Sequence, residues 1–334
     1  MSAMTLGAPP TGERRLLGTP PTGPVPRLDA GALVDLLAAA GLTGRGGAGF
    51  PTAKKVFALQ GRSPVVVGNA MEGEPLSHKD AVLMQHSPSL VLDGLELVAQ
   101  AVGARRTILA LGSRVPAPPA RPGVEVHRLR DSFVAGQETA LVNQLNGHDP
   151  VPTDPSVPVF RRGVDGRPTL VLNAETYAQI ALLARYGAAW FRSQGQPDDP
   201  GTFLVSLTAS RSDLLVRPGV IEVRRGIPLT ELLHRGGADA DRVQAVLVGG
   251  YHGAWIDPSV ASMVTIARES LEAHKATLGA KEAVTGPARR GDIRTIAQHL
   301  DRLTSDPDLR RAYAVLSDLI LRTYHPEKRA PQDL

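Results

Sequence analysis

The chain has 334 residues, a formal net charge of +4 and no cysteine. That length allows two or three domains with a sizeable core, and an apolar content of 42% is that of a globular protein. Without cysteine, these residues form no disulfide, thiol nucleophile, cysteine-ligated zinc site or cysteine-ligated iron–sulfur cluster.

No apolar run approaches the roughly 20 residues of a membrane span. The first residues show no charged segment followed by an apolar one, so the expected compartment is the cytoplasm. Arginine pairs are scattered, from Arg14-Arg15 to Arg310-Arg311, with no basic stripe carrying interleaved aromatics. This argues against nucleic acid as a partner. A basic face for an acidic redox partner stays open.

Residues 1–27 are rich in Pro, Gly and Thr and read as a loose, disordered tail. Asp29 is placed as the N-cap of a helix through Leu33-Val34-Asp35-Leu36-Leu37, which ends at Gly41. Gly44-Arg45-Gly46-Gly47-Ala48-Gly49-Phe50-Pro51-Thr52 follows, then Lys54-Lys55. Glycines let the backbone approach a ligand closely. A run of them aims successive N–H groups into one concavity, which favours an anion such as a phosphate. An ordinary interhelical loop would account for one or two of these glycines; four, followed by Phe-Pro-Thr and a lysine pair, favour a nucleotide or flavin phosphate over that alternative.

Pro64-Val65-Val66-Val67-Gly68 reads as a buried parallel strand. It runs into Asn69-Ala70-Met71-Glu72-Gly73-Glu74-Pro75, and residues at a strand's carboxyl end commonly face the ligand crevice of an α/β sheet. A helix from Ser89 to Val98, strands at 107–111 and 124–127, and a helix over Val134 to Leu145 come next. Thr169-Leu170-Val171-Leu172-Asn173 is a strand entering a helix, with Asn173 and Thr176 as capping groups. The βαβα alternation predicts an α/β layer architecture. Glu72 and Glu74 are either solvated turn carboxylates or partners for ribose hydroxyls. Glu138 is either a first-turn acid favoured by the helix dipole or a site residue beside Gly136. Strands at 202–207, 219–223 and 243–250 with a short helix from Pro228 form a small α+β module. Helices are expected over Val260 to about Leu278, Ile293 to Leu303 and Leu309 to Tyr324. The histidines show no metal spacing. There is no Walker loop, no nucleophile elbow and no convincing acid–base pair.

Taken together, 44–52, Gly-Asn-Ala-Met-Glu-Gly-Glu-Pro at 68–75, His-Lys-Asp at 78–80, Ala-Gly-Gln-Glu-Thr-Ala-Leu at 135–141 and Gly-Arg-Pro-Thr-Leu-Val-Leu-Asn-Ala-Glu-Thr at 166–176 resemble the family of NADH-binding flavoprotein subunits of respiratory complex I. Residues 203–257 resemble the soluble-ligand-binding β-grasp module of the same family. The resemblance covers residues 28–260. It implies an FMN/NADH-binding α/β domain at 28–198, a β-grasp module at 199–258 and a helical C-terminal region at 259–334.

The implied cofactor is FMN, with NAD(P)H as substrate. Gly44, Arg45, Gly46, Gly47, Ala48, Gly49, Lys55, Asn69, Asn173 and Thr176 would contact the FMN. Phe50, Glu72, Glu74, Glu138 and Phe160 would line the nucleotide pocket. The chemistry would belong to the cofactor, with no catalytic side chain and no metal. Three positions depart from the family: Met71 for an aspartate, Leu172 for an asparagine and Val157 for a lysine. The family's C-terminal cysteines for a 4Fe–4S cluster are missing as well. The last 55 residues faintly resemble the C-terminal helical domain of certain Rossmann-type reductases instead. Electrons would therefore pass to a separate redox partner, ferredoxin-like or another, with a membrane reductase as a further candidate that would place the protein at the membrane periphery. The alternative implied by the departures is a non-catalytic FMN-binding or assembly module.

Overall fold

Asp29 starts the first helix, α1 (Ala30–Ala40): its Oδ1 accepts the Ala32 N–H at 2.8 Å, and Gly41 ends the helix in the left-handed conformation. In this computed structural model the described residues are 12–250 without 22, 60–62, 154–156, 211–212, 240–241 and 244, together with 254–256 and 297. The C-terminal helices expected from the sequence lie outside them.

Elements then follow as α2 (Thr52–Ala58), β1 (Val65–Ala70), α3 (Lys79–His86), α4 (Pro88–Ala101), β2 (Arg106–Leu111), β3 (Glu125–Arg128), α5 (Glu138–Leu145), β4 (Thr169–Asn173) and α6 (Ala174–Arg192). The four strands form one parallel sheet in the order β3-β2-β1-β4. The α/β expectation therefore holds. The apolar runs behave as buried strands because both faces are covered. Val66, Leu109, Leu170 and Leu172 point into a core with α1, α4 and α6. Val65, Val67, Ile108 and Val171 point the other way, into a second core with Leu141 and Val142 of α5.

Helices α4 and α6 approach each other closely. A Cβ on Gly94 would lie 1.9 Å from the Tyr177 carbonyl oxygen, so only glycine lets these helices meet. The Tyr177 hydroxyl donates to the Val67 carbonyl at 3.1 Å, satisfying a fully buried phenol.

Helix α5 begins four residues later than its apolar pattern predicts. The Gln137 side chain accepts the Thr139 and Ala140 N–H groups at 2.8 and 2.9 Å and so caps it at that point. Glutamine is outside the usual set of caps, so periodicity alone carried the expectation too far upstream.

Beyond α6 come the short β5 (Gly195–Gln196) and β6 (Asp199–Pro200), the antiparallel hairpin β7 (Thr202–Leu207) and β8 (Gly219–Arg224), α7 (Leu229–Arg235) and β9 (Val246–Val248). Leu207, Val223, Ile227, Leu229 and Leu232 give this region its own small core.

The loose-tail expectation fails at Arg15–Leu17. Leu16 is fully buried in the main core, and its carbonyl accepts the Ser87 hydroxyl at 2.6 Å. The Arg15 guanidinium lies over Trp190 and donates to the Phe191 carbonyl at 3.0 Å. Glu222 of β8 accepts the Arg15, Leu16 and Leu17 N–H groups at 2.8, 2.7 and 3.1 Å. A composition of Pro and Gly does not reveal a distant carboxylate that collects three consecutive amides.

Burial pushes the Glu222 carboxyl up from 4.5 to about 7, against the hydrogen bonds that pull it down. A raised carboxyl pKa contributes stability at low pH that is lost as pH rises from the unfolded to the folded value. The expected loss is about 3 kcal/mol, most of it between pH 4.5 and 7 and the remainder just above. Glu222→Gln keeps the shape and removes the titration. Urea unfolding of both proteins across pH 5–8 should show this segment in the parent alone; matching pH profiles would refute it.

Candidate functional site

Adjacent parallel strands β1 and β4 end in register, with Asn69 beside Asn173. Successive strands step from β1 to β2 and β3 on one side, while β4 lies on the other. Such a reversal opens a crevice at the carboxyl ends of the two strands.

The glycine loop lies at this point. Its neck is closed by a bridge between Thr43 and Pro51 and by the Gly44 N–H donating to the Phe50 carbonyl at 2.9 Å. The Arg45 N–H donates to Thr176 Oγ1 at 2.9 Å, tying the loop to the first turn of α6. A Cβ on Gly46 would contact the Asn173 Cβ at 3.5 Å. Gly46, Gly47 and Ala48 form the exposed tip. Gly47 has φ of +101°, and no atom lies within 4 Å of where its Cβ would be. The loop is therefore an open cradle on a fixed base. Thr176 holds that base and does not cap its own helix.

Arg45 turns inward. Its guanidinium donates to the Thr43 carbonyl and hydroxyl at 3.2 and 2.9 Å and to the Pro200 carbonyl at 3.4 Å. Burial pulls its pKa down, with Arg225 adding to the effect. Its Nε and the Thr52 hydroxyl are buried without a partner among the described residues. Lys55 pairs with Glu138 at 2.8 Å and also donates to the Val171 carbonyl at 3.3 Å, joining α2, α5 and β4 at the mouth. Phe50 is half exposed beside it.

Below the loop, Asn173 spends its whole amide on the protein. Its Nδ2 donates to the Asn69 carbonyl at 3.1 Å and to Asp80 at 2.9 Å; its Oδ1 accepts the Glu175 N–H at 3.0 Å and Lys79 Nζ at 2.9 Å. That exhausts its two donors and two lone pairs. Lys79 also bridges Asp80 at 2.8 Å and Glu175 at 3.2 Å, both buried. Burial alone would lower Lys79, but Asp80 and Glu175 hold it above the usual lysine value. Burial pushes the Glu175 carboxyl up, offset in part by Lys79 and Arg45. Asn69 donates one amide N–H to the Gly136 carbonyl at 2.8 Å and accepts the Met71 N–H at 3.1 Å. Its second donor has no partner in this network.

Gly44 to Gly49, Phe50, Lys55, Asn69, Glu138, Asn173 and Thr176 thus lie near the carboxyl ends of β1 and β4. Three expected pocket residues stand differently. Glu72, at φ of +42°, is spent on closing α3: its carboxylate accepts the Ser77 hydroxyl at 2.8 Å and the Asp80 and Ala81 N–H groups at 3.0 and 3.2 Å. Glu74 packs on Gly250, where a Cβ would come within 2.6 Å of its carboxyl carbon. Phe160 sits in a turn anchored by the Thr169 N–H to the Val159 carbonyl at 3.1 Å, at the start of β4 and away from the crevice end.

The residues missed were Lys79, Asp80 and Glu175. Their signals were the His-Lys-Asp run and the glutamate two places after Asn173. Among the departures, Met71 and Leu172 are buried in opposite cores, and Val157 is half exposed.

A doubly wound sheet with a glycine cradle at its switch point defines a nucleotide- or flavin-binding class of protein. Residues 37–182 match the family model Complex1_51K, the Nuo51 FMN-binding domain, and residues 251–320 match a domain of unknown function (DUF2520). The NAD-reducing hydrogenase HoxS subunit alpha of Cupriavidus necator is 34% identical over 233 residues, covering 61% of this chain and 38% of that protein. One of the NADH-quinone oxidoreductase subunits of Rhizobium meliloti is 33% identical over 249 residues, covering 65% of this chain and 58% of that protein. A crystal structure of an NAD+-reducing NiFe-hydrogenase in the H2-reduced state superposes with a TM-score of 0.63 at 32% identity, over 70% of this chain and 44% of the hydrogenase chain. The likeness to the Nuo51 FMN-binding domain lies in residues 37–182. The chain spans only 38%, 58% and 44% of the length of these three relatives. Among the described residues, no helix is long and apolar enough to cross a membrane.

Proposed function

We propose that this chain is an FMN-dependent oxidoreductase that takes hydride from NAD(P)H and passes electrons to a separate redox protein. The open cradle at Gly47, on a base fixed by Thr176, carries this reading. The residues present suit the group. Exposed loop amides favour a phosphate, while the unpartnered Thr52 hydroxyl, the unpartnered Arg45 Nε and the remaining Asn69 donor are polar atoms for it to satisfy. Bound FMN supplies hydride acceptance at N5 and release of single electrons, chemistry that no side chain here performs.

The protein's part is to hold and orient. Gly44 to Gly49 wrap the phosphate end, and Lys55 sets Glu138 at the mouth. Phe50 offers an exposed ring for a nicotinamide or adenine to stack on. Asn173 acts from behind, since its amide is spent; Lys79, Asp80 and Glu175 keep it in place. On this reading residues 28–198 would make up the FMN domain and 199–258 a β-grasp module, with a further region at 259–334. With no cysteine in the chain, the outlet is a cluster or flavin on another protein, ferredoxin-like or part of a membrane reductase, which would hold this one at the membrane periphery.

A second reading, a non-catalytic FMN-binding or assembly module, is favoured by one observation: buried Met71 and helix-capping Glu72 leave the acidic turn with little to offer a nucleotide. Purified protein should be yellow or take up FMN on reconstitution, and the loaded protein should reduce ferricyanide with NADH. Colourless protein that never takes up FMN refutes both readings. Flavin without turnover selects the second.

A further inference from the structure

One seam of buried polar groups is not accounted for by the crevice. It runs between α6 and the β7–β8 hairpin, where an apolar contact would be the ordinary solution. Glu175 and Gln179, one turn apart on α6, are buried, as are Thr202 of β7 and Glu222 of β8. Gln179 Nε2 donates to the Thr202 carbonyl at 3.0 Å. The Thr202 hydroxyl donates to Glu222 Oε1 at 2.7 Å, while Glu222 Oε2 gathers the three amides of 15–17. Two residues along β7, the Leu204 N–H donates to Glu175 Oε1 at 3.0 Å. The other oxygen of Glu175 holds Lys79, which holds Asn173. Ser206 adds a third tie, its Oγ accepting the His78 N–H at 3.0 Å just before α3.

Such a seam specifies one alignment. An apolar contact tolerates sliding, whereas a row of buried donors and acceptors is costly to leave unmade; of the side-chain groups in this row, Gln179 Oε1 alone has no partner among the described residues. Among the described residues, every hydrogen-bond partner of Glu222 is a donor, so the row depends on its two oxygens. We infer that Glu222 is a positioning residue: by locking the 15–17 arm and Thr202 to one another it fixes β7 along α6, and through the Leu204 N–H it keeps Glu175, Lys79 and Asn173 aligned at the crevice. The consequence for cofactor affinity rests on the FMN reading above. The alignment itself does not.

Glu222→Leu removes both acceptors. Glu222→Gln retains an oxygen for the three amides and an NH2 that can donate to the Thr202 hydroxyl. Thr202→Val cuts the link between Glu222 and β7 and the longer 3.4 Å contact from Gln179 Nε2 to the hydroxyl, keeps the Gln179 bond to the Thr202 carbonyl, and serves if the leucine variant fails to fold. Amide hydrogen exchange in the intact protein should quicken for Glu222→Leu or Thr202→Val at Leu204, and also at Glu175 and Ala81 by the crevice. FMN should bind about tenfold more weakly, with the ferricyanide rate at saturating FMN within about twofold, and Glu222→Gln should restore both. Unchanged exchange at Glu175 and Ala81 overturns the inference whether or not FMN binds. Quickened exchange there with unchanged FMN affinity overturns its functional half. A parent protein that takes up no FMN fails the FMN reading instead, and exchange then decides the seam alone.

Discussion

Lys79→Met is expected to destabilise the protein by about 3–5 kcal/mol, because it leaves buried carboxylates without their cation. Lys79 lies 2.8 Å from Asp80 and 3.2 Å from Glu175, both almost wholly buried. Methionine fills nearly the same volume, so the loss is mainly electrostatic. Without Lys79, the Glu175 carboxyl, already pushed up by burial, rises further and holds a proton when folded. An acid whose folded pKa is raised loses stability as pH climbs from its unfolded value toward its folded one. The gap between Lys79→Met and the parent should therefore widen from pH 5 to pH 8. Adding Glu175→Gln should narrow it again by removing the carboxyl whose titration widens it. Chemical denaturation at both pH values decides the matter: a gap that is absent, or that shrinks as pH rises, means that the lysine does not neutralise this pair.

The second large effect is at Gly47. Gly47→Trp should abolish FMN uptake while leaving the fold in place. Both expectations come from one geometry. The residue sits at φ of +101°, and the space ahead of its missing side chain is empty to 4 Å. An indole there meets no protein atom at its Cβ, and on the proposed FMN reading it stands where the phosphate end would approach the loop. Any side chain at this φ carries strain of about 1–3 kcal/mol, so Gly47→Ala is the control: it shares the strain and leaves the cradle open. Flavin absorbance after reconstitution and thermal unfolding should separate them, with both variants melting a few degrees low and the tryptophan variant alone colourless. A tryptophan variant that binds FMN like the parent would place the cofactor elsewhere.

Much of the α/β domain was legible because its signals are local. Val65 to Val67 are β-branched and apolar, and they form the strand they suggest. Asp29 and Gly41 bracket α1 as cap chemistry predicts. The glycine run marks the cradle because few other tasks need so many glycines in six residues. The start of α5 was not legible, since it is set by an uncommon Gln137 cap. The tail was misread because Arg15 and Leu16 are ordered by Glu222, some two hundred residues away.

Side-chain roles were the least visible. Glu72, Asn173 and Arg45 are residue types that suit a nucleotide site, and a sequence does not show which of their hydrogen bonds are already taken. In the fold, Glu72 closes α3, Asn173 is saturated by four neighbours and Arg45 faces inward.

By itself, then, the sequence determined the parallel α/β layer, the glycine-rich loop between α1 and α2 and the lack of any thiolate ligand for a metal within these residues, since all three follow from residue type and short-range order. Tertiary structure alone decided which polar groups face the crevice and which are spent holding it: the Lys79, Asp80 and Glu175 floor, the cap made by Glu72, and the seam closed by Glu222. The physical reason is saturation. A polar side chain has a fixed number of donors and acceptors, and only the arrangement of distant elements determines how many remain for a ligand.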